Sequence, residues 1–117
     1  MCLVRHTYKD GWHLPGGGVK TGEAIVDAVA RELAEETGIE LPETPKRVLG
    51  VFSSFRDHKS DHVVVFFVDD WVQGAARSQE IAEVGFFATD ELPLGTTAAT
   101  SRRVKEWVTG VPPGHRW

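Results

Sequence analysis

The run GGVKTGEAIVDAVARELAEETGI, residues 17–39, sets a helix directly behind a run of glycines. The helix is expected over residues 23–37, with Gly38 as its left-handed stop. Glu23, Arg31, Glu32, Glu35, Glu36 and Gly38 stand at fixed offsets within the run. At about 100° per residue, with Glu32 as zero, Glu36 falls at about 40° and Glu35 at about −60°. Three carboxylates therefore share an arc of about 100°. Ile25, Val29 and Leu33, at about 20°, 60° and 100°, form the expected core stripe beside that arc.

These acids also close the helix at its negative end, where Lys or Arg would be favoured. Like charges at i,i+4 cost a few tenths of a kcal/mol, and partial burial raises that. A hard dication would reverse the sign of the problem, because carboxylate oxygens are its preferred ligands. The competing explanation is a solvated acidic face, which an isolated Glu-x-x-Glu-Glu would favour. The glycine loop, Glu23 and Arg31 at fixed offsets favour the metal site instead. Arg31 is expected to fix the carboxylate rotamers through its planar fork. It is read as lying on a different face from Glu35.

Before the helix, Gly16-Gly17-Gly18 after Leu14-Pro15 lets backbone approach a ligand closely. Its carbonyls could add a metal ligand and its amides could meet a phosphate oxygen. It is neither a P-loop nor a dinucleotide fingerprint, since no Gly-Lys-Ser/Thr follows and G-x-G-x-x-G fails at Thr21.

Outside this segment, residues 2–8 read as a strand ending in a turn at Asp10-Gly11. Residues 47–56 and 61–68, rich in Val and Phe, read as a hairpin. Residues 83–88 read as a further strand, and about 97–109 as a second helix ending at Gly110. The order implies a mixed sheet covered by helices in an α/β domain. The length of 117 residues suits one domain over residues 1–117, with 41% hydrophobic and 26% charged residues.

The net charge of −4, without a basic tract, argues against duplex nucleic acid as a partner. Cys2 is the sole cysteine, so no intrachain disulfide forms and a reducing, cytoplasmic setting is expected. No apolar run approaches the ~20 residues of a membrane span, so no membrane partner is expected.

Taken together, these residues resemble the Nudix hydrolases. The match to that family's box covers Gly17, Glu23, Arg31, Glu32, Leu33, Glu35, Glu36, Gly38 and Ile39. The lead-in Trp12-His13-Leu14-Pro15-Gly16-Gly17 is similar too, as are Glu80-Ile81-Ala82-Glu83, Phe86-Phe87 and Asp90-Glu91-Leu92-Pro93 further on. The resemblance implies an α/β/α sandwich with a mixed sheet. It also implies cleavage, with Mg²⁺ or Mn²⁺, of a nucleoside diphosphate linked to another group X. It places metal on Glu32, Glu35, Glu36 and the Gly16 carbonyl. Glu32 would act as, or orient, the base for the attacking water, or a glutamate outside the box would serve. Glu80 and Glu83 are the candidates for that role, with Glu83 preferred because it borders a strand. A non-catalytic nucleotide sensor on the same scaffold is the alternative.

Substrate contacts are expected from Arg5, Gly17, Gly18, Trp12 and Phe55, the aromatics by stacking on a base. Most other aromatics, with Val104 and Trp107, are expected in the core, and Arg102-Arg103-Lys105 on a solvated face. The histidines show no zinc spacing. In this family, strands normally precede the one leading into Pro-Gly-Gly. Only about a dozen residues stand there, so N-terminal strands are expected to be missing or shortened. That would leave an open edge, which a second copy would fill in a homodimer, with exchanged segments as a variant.

Overall fold

The computed structural model describes residues 1–117. Seven strands and two helices follow in the order β1 (Cys2–His6), β2 (Trp12–His13), α1 (Ile25–Thr37), β3 (Ile39–Glu40), β4 (Arg47–Ser54), β5 (Asp61–Phe67), β6 (Val72–Gln73), β7 (Ile81–Phe86) and α2 (Ala98–Thr109).

α1 begins at Ile25, two residues later than its periodicity suggests, because Glu23 belongs to the turn before it. The Glu23 N–H donates to the Lys20 carbonyl at 3.0 Å, and its carboxylate accepts the Lys20 N–H at 3.0 Å. Gly38 ends the helix at φ 78° and donates to the Ala34 carbonyl. A side chain at Gly38 would also collide with the backbone of Gly74–Ala76, so close approach requires glycine there as well. α2 is capped by Thr97, whose hydroxyl accepts the Thr100 N–H, and ends at Gly110 with φ 71°.

The α/β architecture is as expected, but the strands are shared among three antiparallel sheets, β2-β1-β7, β3-β6 and β4-β5. Parallel pairing is confined to two isolated bridges, Trp12 to Thr96 and Ser53 to Arg116. The short strands β2, β3 and β6 escape sequence reading, since two residues are too few to show a period. The strand expected at 83–88 lies at Ile81–Phe86.

The open edge is also not where it was expected. β1 is paired on both sides, by β2 and β7. Every other strand has a single ladder partner, and the longest strands with a free edge are β4 and β5, paired only with each other.

The core is small. Leu3, Val4 and Phe52 are fully enclosed, with Ala28, Leu33, Ile39, Ala99 and Val104 close behind. Ile25, expected in the core stripe, is 46% exposed, and Trp107 is 53% exposed. Trp107 keeps a contact with β5, its ring 5.6 Å from that of Phe67. Arg103 departs in the other direction. It is buried, with its guanidinium 4.1 Å from the Phe52 ring and 5.6 Å from that of Trp117. It donates to Glu106 at 2.7 Å and to the Arg116 carbonyl at 2.8 Å. No helix is long and apolar enough to cross a membrane.

Candidate metal centre and catalytic site

Arg31 is the hub of the acidic end of α1. Its Nε and Nη2 donate to the two oxygens of Glu23 at 2.8 and 2.9 Å, a fork-to-fork pair. Its Nη1 donates to Glu32 at 3.0 Å and to Glu35 at 3.4 Å, and its Nη2 to the Gly18 carbonyl at 3.0 Å. The expectation that Arg31 faces away from Glu35 fails, because positions i and i+4 stand only about 40° apart on a helix. The fork holds the Glu23 carboxyl down at about 2, chiefly by hydrogen bonding from Arg31, and the acids push the guanidinium up.

Glu36 is treated differently. It is buried, and both its oxygens are engaged: Oε1 accepts the Gly16 N–H at 2.7 Å, and Oε2 lies 3.3 Å from Nε2 of His6. Burial, helped by the charge of Glu32, pushes its carboxyl up to about 7, while burial pushes the His6 imidazole down. Desolvation moves both partners toward their neutral forms. Glu32 and Glu35, by contrast, each leave one oxygen without a protein hydrogen bond.

The glycine loop lies directly over this end of the helix. A Cβ at Gly17 would overlap the Glu32 carboxylate. Gly16 offers its amide to Glu36 and Gly18 its carbonyl to Arg31, so two of the three glycines are tied to the acids through backbone. At the C-terminal end, the Arg77 and Ser78 amides donate to the Glu35 carbonyl at 3.0 and 2.9 Å. They satisfy a helix-end acceptor and draw Glu80 toward the cluster, where its charge helps raise the Glu36 carboxyl.

Glu83, directly opposite Arg5 in the β1–β7 ladder, forms an ion pair with it. Arg5 also lies 6.0 Å from the ring of Trp12, which meets Phe87 edge-on at 5.1 Å. Arg5, Trp12 and Glu83 thus form a group of their own. Phe55 is 57% exposed, with the Arg116 guanidinium 5.3 Å from its ring. The charge of its neighbour Arg56 reaches His13 and helps lower its pKa, after burial. A cleft of about 500 Å³ opens where β1 runs into its turn, lined among others by Arg5, His6, Tyr8 and Lys9.

The donor set is entirely carboxylate and carbonyl oxygen, which suits a hard dication. In this arrangement no three acidic, histidine or cysteine side chains converge closely enough to hold an ion. The oxygens of Glu32 and Glu35 that carry no protein hydrogen bond are the ones free to turn toward an ion.

Sequence reasoning missed His6. Its signal was present: it stands two residues after buried Val4 on a strand, and so shares the inward face.

A NUDIX domain model matches residues 1–108 of the chain. An ADP-ribose pyrophosphatase of Methanocaldococcus jannaschii is 39% identical over 88 residues, 74% of this chain and 51% of that protein. An RNA pyrophosphohydrolase of Xanthomonas campestris is 54% identical over 40 residues, 34% of this chain and 19% of that protein. The chain thus spans about half the length of the first relative and a fifth of the second. Among solved structures, the MutT NUDIX hydrolase of Burkholderia pseudomallei superposes with a TM-score of 0.75 at 27% identity, over 89% of this chain and 84% of that one.

Proposed function

This chain belongs to the NUDIX family, and from that premise we propose that it hydrolyses a pyrophosphate bond in a nucleoside diphosphate linked to another group X, with Mg²⁺ or Mn²⁺. The observation that carries this reading is the Arg31 hub, which gathers Glu23, Glu32, Glu35 and the glycine loop into one unit. A solvated acidic face has no use for an arginine bonded to three carboxylates and a loop carbonyl.

Glu32, Glu35, Glu36 and the Gly16 carbonyl are the groups that would hold the ion. When bound, such an ion supplies neutralisation of phosphate oxygens and makes water more acidic. The chain's own residues do the positioning. Arg31 holds Glu32 and Glu35 at the mouth of the site, and Gly17 and Gly18 keep backbone close to the substrate. Arg5, at the cleft beside β1, meets a substrate phosphate. In turning to it, Arg5 releases Glu83, which accepts the proton of the attacking water. Glu80 is the alternative base, and Glu32 orients the water. Trp12 and Phe55 are the proposed base-stacking residues. The chain acts in the cytoplasm, in keeping with its unpaired Cys2, and as a homodimer joined at the free edge of β5.

ADP-ribose leads the substrate candidates, because the relative carrying that name matches over most of this chain. The test is phosphate or nucleoside monophosphate release from ADP-ribose, nucleoside triphosphates, dinucleoside polyphosphates and 5′-triphosphate RNA, with Mg²⁺ and with EDTA. Turnover with Mg²⁺ that EDTA and Glu35→Gln both abolish is the expected result. Nucleotide binding without turnover would favour the sensor alternative, and unchanged turnover by Glu35→Gln would sink the reading.

A further inference from the structure

We propose that His6 is a positioning residue that locks Glu36 in one rotamer and thereby sets the affinity of the acid cluster for a divalent cation. The inference rests on the reading above, in which Glu36 is a ligand. Of the three clustered acids, Glu36 alone has both oxygens taken, by the Gly16 N–H at 2.7 Å and by His6 Nε2 at 3.3 Å. It is also the buried one. A carboxylate held at both oxygens presents its remaining lone pairs in fixed directions, whereas Glu32 and Glu35 are each tethered through one oxygen only.

His6 is itself fixed. It is 8% exposed, and its ring meets Tyr8 at 5.2 Å and the edge of His13 at 5.3 Å. Its Nδ1 is buried without a partner. A buried polar atom left unpaired costs about 1–3 kcal/mol, so an imidazole is a poor choice if only volume is needed here. The bond to Glu36 is the one polar interaction it makes, and its span of 30 residues ties β1 to the acidic end of α1.

The test is Mn²⁺ affinity, read from the electron paramagnetic resonance signal of the free ion, on the full chain. His6→Leu is expected to weaken Mn²⁺ binding about 10- to 100-fold. His6→Gln, whose amide nitrogen can take the place of Nε2, is expected to restore it, and His6→Asn, one carbon shorter, is not. In a Glu36→Gln background, His6→Leu should change nothing further. Wild-type affinity in a folded His6→Leu would overturn the proposal, as would an undiminished His6→Leu effect in the Glu36→Gln background. If His6→Leu fails to melt cooperatively, equal affinities of the Gln and Asn variants overturn it instead. Absence of Mn²⁺ binding by the wild-type chain would overturn the metal reading of the whole cluster, which separates that failure from failure of the role of His6.

Discussion

Arg31 grips Glu23 with one edge of its guanidinium, Nε to Oε2 at 2.8 Å and Nη2 to Oε1 at 2.9 Å, across eight residues of chain. The pair joins the turn before α1 to the middle of the helix. It leaves the third nitrogen of the fork for Glu32 and Glu35.

Arg31→Lys keeps the charge and loses the fork, since an ammonium cannot hold two carboxylates in a plane. Turnover and Mn²⁺ affinity are expected to fall about 10- to 100-fold, while the fold by circular dichroism stays intact. Turnover within twofold of wild type would show that the charge alone suffices.

Gly17→Ala places a methyl where the Glu32 carboxylate lies. Glu32 or the loop must move, so turnover should fall at least about tenfold, with a melting temperature close to wild type. Steady-state kinetics beside a thermal melt separates the two effects.

His6 and Glu36 give the metal-free chain two opposed pH dependences. The folded Glu36 carboxyl titrates at about 7 against an ordinary 4.5, so the native state holds a proton that the unfolded state releases. Its contribution to stability therefore falls as pH rises from about 4.5 to about 7. The folded His6 lies below its ordinary 6.5, so its contribution rises with pH up to 6.5. In EDTA, His6→Gln should leave stability falling over this range and Glu36→Gln should leave it rising. The wild type should be flatter than either. Glu23 acts at the acid end: its carboxyl is held at about 2, so the stability it adds is present above 4.5 and lost as pH falls toward 2. Urea unfolding across pH 2–8 checks all three signs.

Phe52 is fully buried, with the Arg103 guanidinium 4.1 Å and the Trp117 ring 5.7 Å from its ring. Phe52→Ala is expected to cost about 3–5 kcal/mol, a large share of the stability of a domain with so small a core. Chemical denaturation measures it directly, and a loss under about 1 kcal/mol would mean that the site collapses around the smaller residue.

The free edge of β5, Asp61-His62-Val63-Val64-Val65-Phe66-Phe67, contains no proline and no Lys or Arg. Light scattering at micromolar concentration should give a dimer mass, and Val64→Lys should give a monomer. A monomeric wild type would remove the dimer.

The amino-acid sequence alone determined what is local in this protein. Helical spacing placed three acids at one end of α1, glycine chemistry ended both helices, and two Val- and Phe-rich runs around a short polar stretch set the β4–β5 hairpin. These follow from backbone geometry within a turn or two of the residues concerned. Tertiary structure decided which partner each acid keeps. His6 meets Glu36 across 30 residues, and Glu83 meets Arg5 across 78. It also decided that Arg103 turns inward under Trp117 while Trp107 faces out. Those choices depend on how strands distant in sequence approach one another, and no periodicity along the chain encodes that distance.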